Sequence, residues 1–185
     1  MLFGYDRGHG LLASSRGASK SLVSKILPDT DWDPRVSPKI DGYMSARPVH
    51  GEKIYVVMKT WRAPEMPRPG CVWTHVLAIA EADLSRIRNL GILAHLMKRP
   101  TKQGSFEAFA SEIVLDELSP TEVLDESEVR VVRNLVELVY SGGFDPNIIG
   151  GEGGVERALL AIWSQQWPAL RRQFSFRSAF LSRTK

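Results

Sequence analysis

Trp61-Arg-Ala-Pro-Glu-Met-Pro-Arg-Pro-Gly-Cys-Val-Trp-Thr-His75 is the stretch on which the fold turns. An extended run, Lys53-Ile-Tyr-Val-Val-Met-Lys59, leads into it. A second apolar run, Cys71-Val-Trp-Thr-His-Val-Leu-Ala-Ile-Ala80, leads out. Between them lie Pro64, Pro67, Pro69 and then Gly70. Proline fixes φ and lacks an N–H, so this connection is neither helix nor inner strand. The pattern predicts two antiparallel neighbours joined by a stiff loop. Stiff loops on a sheet hold recognition side chains well.

Upstream, Leu2-Phe-Gly-Tyr5 and Leu11-Leu-Ala-Ser14 flank Asp6-Arg7-Gly8-His9-Gly10. Two glycines in so short a connector predict a β-hairpin. Ser15 to Leu27 reads as a helix capped by Ser15 or Ser19. Its apolar stripe is Leu22, Val23, Ile26 and Leu27, and Pro28 stops it. Asp29 to Gly42 reads as a loop. Tyr43–Val49 and Lys53–Trp61 form a second predicted hairpin around His50-Gly51-Glu52, with Pro48 suited to a strand edge.

Downstream, Asp83 is the expected N-cap of a short helix to about Asn89, and Leu90 to Met97 continues as another. Thr101 to Ser105 reads as linker. Phe106 to Leu118 fits a helix in part, with Ile113-Val-Leu115 open to a strand reading. Ser119-Pro-Thr-Glu122 and Asp125-Glu-Ser-Glu128 are capping signatures. The second opens the clearest helix, Glu126 to Tyr140, which Gly142-Gly143 closes. Phe144 to Ile149 reads as a short extended segment. A helix from Val155 to Trp167 then ends at Pro168, with Trp163 and Trp167 expected on one packed face. The tail from Leu170 fits a last strand or a terminal helix. The order is strands first and helices later. That predicts an α+β fold: an antiparallel sheet of hairpins in the N-terminal half, packed with helices from the C-terminal half.

Composition sets further bounds. With 185 residues, 43% hydrophobic and 24% charged, the chain fits one domain. Its apolar runs fall far below the ~20 residues of a membrane span, and residues 1–7 lack the pattern of a signal peptide. One cysteine leaves no internal disulfide framework and points to a reducing compartment, so the expected location is the cytoplasm. The net charge of +3 is uneven: residues 168–185 hold five bases and no acid, and residues 105–137 hold nine acids and two bases. A mild basic tail is weak evidence for nucleic acid.

No metal site is expected, because four histidines and one cysteine are scattered without ligand spacing. Gly150–Gly154 is not a phosphate loop, since no Gly-Lys-Ser/Thr follows. Cys71 and His75 are not a nucleophile–base pair: four residues along a strand separate them by ~13 Å. Cys71 is expected to be buried. His9, in the predicted turn beside Asp6, is either an oriented acid–base group or a residue tolerating an unusual φ. An enzyme reading would use Asp6, His9 and His75 in one cleft. A nucleic-acid reading would place Arg171, Arg172, Arg177 and Arg183 on one open face. Trp61, at the loop edge, suits a partner interface if its indole is exposed.

Two segments carry a family resemblance. Phe3-Gly-Tyr-Asp-Arg-Gly-His-Gly-Leu-Leu-Ala-Ser-Ser15 resembles the opening of the N-terminal domain of bacterial GTPase-associated adaptor proteins. Trp61 to Ile79 resembles that domain's second hallmark. Lys98-Arg-Pro100 and Leu170-Arg-Arg-Gln-Phe-Ser-Phe176 resemble later ones. At position 10 the family is expected often to carry arginine or lysine, and Gly10 departs from that. The resemblance implies a single α+β domain over 1–185, the N-terminal module of a longer multi-domain protein. It implies a non-enzymatic adaptor of a bacterial conflict (immunity) system, without cofactor. Its expected partner is a protein, a GTPase or other NTPase encoded nearby, rather than nucleic acid or membrane. The residues expected to meet that partner are Tyr5, Asp6, Arg7, His9, Trp61, Glu65 and Arg68.

Overall fold

Strands from both ends of the chain make one six-stranded antiparallel sheet in the computed structural model. The structure describes residues 1–15, 18–37, 39–100, 106–115, 124–140 and 154–179. The strands are β1 (Leu2–Tyr5), β2 (His9–Ala13), β3 (Gly42–Val49), β4 (Ile54–Arg62), β5 (Val72–Ala80) and β6 (Phe176–Arg177). The helices are α1 (Lys20–Ile26), α2 (Glu81–Leu84), α3 (Ile92–Leu96), α4 (Glu126–Tyr140), α5 (Val155–Gln165) and α6 (Pro168–Arg171). The sheet order is β2-β1-β5-β4-β3-β6. The fold is α+β, as the order of patterns predicts.

The stretch around the prolines does what its composition dictates. β4 and β5 pair antiparallel from Ile54↔Ala80 to Arg62↔Val72, and the stiff loop joins them. Every second residue of these strands meets one face, so each face builds its own core. On one face Phe3, Val56, Met58 and Val76 pack under Leu22 and Ile26 of α1. On the other, Tyr55, Val57 and Leu77 pack under Leu84, Leu90, Leu93, Leu160 and Trp163. The Tyr55 and Trp163 rings lie 4.7 Å apart, an aromatic pair worth about 0.5–1.5 kcal/mol beyond its buried area. Nearer the loop, Leu2, Trp73, Met66 and Phe109 form a third cluster on this second face. Gly4 allows it: a Cβ there would sit 2.5 Å from Trp73 ring carbons.

The helix signals hold with local corrections. Ser19 caps α1, its hydroxyl accepting from Leu22 N at 3.0 Å. Asp125 and Glu128 form the reciprocal capping box that opens α4: Asp125 Oδ1 accepts from Glu128 N at 2.8 Å, and Glu128 Oε2 from Asp125 N at 2.9 Å. Asp83 is not an N-cap, because the chain turns helical directly off β5 and Ala80 takes that place. The expected Leu90–Met97 helix is only Ile92–Leu96. Residues 106–115 hold one 3-10 turn, Glu107–Phe109.

Trp167 departs furthest from the helical spacing of its segment. A residue before proline is pushed to extended backbone, and Trp167 has φ −63° and ψ 151°, with Pro168 opening α6. The helix therefore ends at Gln165, and the Trp167 indole stands 78% exposed while Trp163 is fully buried. The tail resolves into a two-residue strand on the edge of β3, where Ser178 N donates to Met44 O and Met44 N to Ser178 Oγ, both at 2.8 Å. Glu156 at the start of α5 binds Lys59 of β4 and Ser178, tying the helical half to the sheet. The linker at 101–105, the capping signature at 119–122, the close at 142–143, the extended segment at 144–149 and the glycines 150–153 lie outside the described residues.

Candidate functional site

The register of β1 against β5 decides what meets at the loop end. Leu2 faces His75 and Phe3 faces Thr74, so Tyr5 at the end of β1 runs toward Val72 at the start of β5. The β1–β2 turn is thereby set beside the Ala63–Gly70 loop. The turn itself is Asp6-Arg7-Gly8, closed by Asp6 N donating to Gly8 O at 3.0 Å. Arg7 sits there at φ 59, in the left-handed region, with its side chain in solvent. His9 belongs to β2 rather than to the turn, directly opposite Tyr5.

Between turn and loop lies a cleft of about 170 Å³. Tyr5, His9 and Asp31 line it together with the Arg68–Val72 segment. The Arg68 guanidinium lies over the Tyr5 ring, 5.6 Å from its centroid, and closes the contact. His9 Nε2 lies 2.9 Å from Thr30 Oγ1, whose own hydroxyl donates to Leu27 O at 2.8 Å. Thr30 therefore accepts, and His9 carries its proton on Nε2. Its Nδ1 has no hydrogen bond among the described residues. Burial holds the His9 imidazole below its ordinary value, with the Asp31 carboxylate and Thr30 opposing that shift. At neutral pH His9 is a neutral ring offering a lone pair at the cleft.

His75 has a different setting. Strand residues alternate faces, so His75 shares the face of Leu2, while Tyr5 and His9 share that of Phe3. His75 is buried, accepts at Nδ1 from Lys98 N at 3.0 Å, and meets Phe109 edge-on at 4.9 Å. Burial, with help from the N-terminal ammonium and Lys98, lowers its pKa to about 3. An Asp6, His9 and His75 constellation is thus not assembled: the sheet stands between the two histidines.

The expected partner-binding residues divide in the same way. Tyr5, Asp6, Arg7, His9 and Arg68 gather around the turn and cleft. Glu65 and Trp61 do not. Glu65 Oε1 accepts from Trp73 Nε1 at 2.7 Å, and the same carboxylate accepts from Arg99. Burial pushes the Glu65 carboxyl up, but these bonds outweigh it and hold it below its ordinary value. Trp61, opposite Trp73 in the β4–β5 ladder, is half-buried against that same cluster rather than exposed. Both residues brace the loop from behind. Cys71, expected to be buried, precedes β5 and stands half-buried on the cleft wall.

The basic tail does not make one open face. Arg171 is buried, donating to the carbonyls of Ser164, Gln166 (3.0 Å) and Ile87 (2.7 Å), where it satisfies the end of α5. Arg177 pairs with Asp33, and Arg183 lies outside the described residues. Sequence reasoning missed Thr30 and Asp31. Their place at the cleft depends on the turn after α1, and no local pattern announces it. Among the described residues, no group of three or more His, Cys, Asp or Glu side chains is placed to hold a metal ion. No described helix is long and apolar enough to cross a membrane.

Sheet, loop and cleft define an α+β domain whose distinctive residues lie at one end of its strands. The chain matches, over residues 1–97, the family model described as GTPase-associated protein 1, N-terminal domain type 1, and it belongs to that family. The matched part runs from β1 through α3 and contains the whole cleft. Comparison with curated proteins and with solved structures returns no match.

Proposed function

We propose that this chain is a non-enzymatic recognition module of a GTPase-associated adaptor. It presents the Asp6–Gly8 turn and the Ala63–Gly70 loop to a protein partner, a GTPase or other NTPase encoded nearby. On this reading it is the N-terminal module of a longer cytoplasmic protein in a bacterial conflict system. One observation carries the reading. Two segments far apart in sequence converge across the Tyr5–Arg68 contact, while the core behind them is independently braced by Glu65. Arg7 and Arg68 are both exposed, and neither has an ion-pair partner among the described residues. Exposed charges held at a rigid end, with no ion pair among the described residues to neutralise them, are what an interface needs.

The test is recovery of partners from the native host by the tagged chain, identified by mass spectrometry and then repeated with the purified NTPase so found. Arg7→Glu and Arg68→Glu should each abolish recovery while leaving the melting temperature nearly unchanged. Full recovery with both reversed would move the interface elsewhere on the domain.

A further inference from the structure

The sheet has two edges, and they are finished differently. At β3 the middle of the edge is covered, where Ser45 and Ala46 pair with β6 and Ser178 bonds to Met44. At β2 the neighbour on one side is β1, and among the described residues nothing hydrogen-bonds to the other side. The direction of each backbone group there follows from one pair. Met1 N donates to Val76 O and Val76 N to Met1 O, both at 2.8 Å. Met1 and Val76 are thus a hydrogen-bonded antiparallel pair, and the pattern alternates along the strand. Phe3 and Tyr5 turn their N–H and C=O toward β5, and Gly4 turns toward β2. Opposite Gly4, Gly10 turns toward β1. His9 and Leu11 therefore direct their N–H and C=O groups outward.

Natural edges are usually guarded by proline, charge or a bulge that twists them away. β2 has a register irregularity at Leu12, between the Phe3↔Leu11 and Leu2↔Ala13 pairs, but the His9-Gly-Leu11 part before it contains no proline and no charged side chain, and Leu11 is 37% exposed. A row of outward donors and acceptors fits one kind of occupant, another extended strand. At its His9 end the edge begins at the residue that lines the cleft from the β2 side, so a strand added there would continue the surface of the turn and loop.

We infer that the outer edge of β2 takes an extended segment of a protein partner by strand addition, bonded to the backbone of His9 and Leu11. This rests on the recognition reading above and names its mode. The probe is a linear peptide selected from a displayed library against the whole chain, then synthesised. Binding should slow hydrogen exchange at the His9 and Leu11 amides and leave that of Gly10 little changed. Leu11→Pro removes one outward N–H and no bond to β1. It should weaken the peptide by about tenfold, while Leu11→Val keeps affinity. If Leu11→Pro unfolds the chain, N-methylation at alternate peptide positions gives the same answer on the unaltered protein, with loss at every second position. Absence of any binding linear peptide would overturn the inference. So would a peptide indifferent to Leu11→Pro and to its own N-methylation, or a Leu11-dependent species that sediments as a dimer of the chain. Failure of the recognition reading looks different: Arg7→Glu and Arg68→Glu would leave partner recovery intact whatever Leu11 does.

Discussion

His9 and His75 lie three residues apart along β1 and on either side of it, yet they live in different chemistry. His75 is sunk into the helical face, where Phe109 and Lys98 N complete its shell. His9 lines a cleft on the α1 face, braced by Thr30 on one side and open on the other. One face of the sheet spends its polar groups on holding the fold. The other leaves some of them free at the strand ends. A histidine's role here is set by the face it lands on, and one residue of register separates the two outcomes.

The most severe way to test the contrast is Trp73→Ala. It empties the cluster that backs the loop and removes the donor to Glu65. Truncating a buried tryptophan typically costs about 3–5 kcal/mol, so the chain should unfold or nearly so, as read by thermal or urea melts. A loss no larger than that of an exposed substitution would mean that the loop does not depend on this core.

Acid should act through the same face. His75 is lowered from its ordinary 6.5 to about 3, so the unfolded chain binds the extra proton between those values. Stability therefore rises with pH across about 3 to 6.5 and is lost as pH falls through that window. The buried N-terminal amine of this chain, lowered from 8.0 to about 6, adds the same sign between 6 and 8. His75→Gln can still accept from Lys98 N and does not titrate. It should reduce the fall in melting temperature measured from pH 6.5 down to 4, and His9→Gln, which removes a less strongly lowered imidazole, should reduce it with the same sign but by less.

Glu65→Ala comes next. It strands the Trp73 indole N–H and frees Arg99, and an unmet buried donor costs about 1–3 kcal/mol. A loss of that size in urea melts, rather than the near-zero effect of a pure contact residue, would fix Glu65 as the loop's brace.

The smallest effect belongs to the free end. Arg7→Glu and Arg68→Glu remove no core volume and no ion pair among the described residues, so each should change stability by only about ±0.5 kcal/mol. If either reversal destabilises as strongly as Glu65→Ala, the two faces are not divided as described.

The sequence alone determined the strands, the hairpins and the α4 capping box, because these rest on interactions within a few residues: alternation, proline stops, a side chain reaching back one turn. It also determined that the turn at residue 7 and the proline loop were the unusual pieces, and their residues carried the family resemblance. Two matters were decided only by the tertiary structure. Glu65 and Trp61 became bracing residues because Trp73 and Arg99 arrived behind them. Thr30 and Asp31 came to the cleft through a turn that packs against β5, where Thr74 Oγ1 donates to Thr30 O at 2.6 Å. Each of these depends on contacts between residues far apart in the chain. Local pattern carries no record of such contacts, because their energy exists only once the sheet has closed its register.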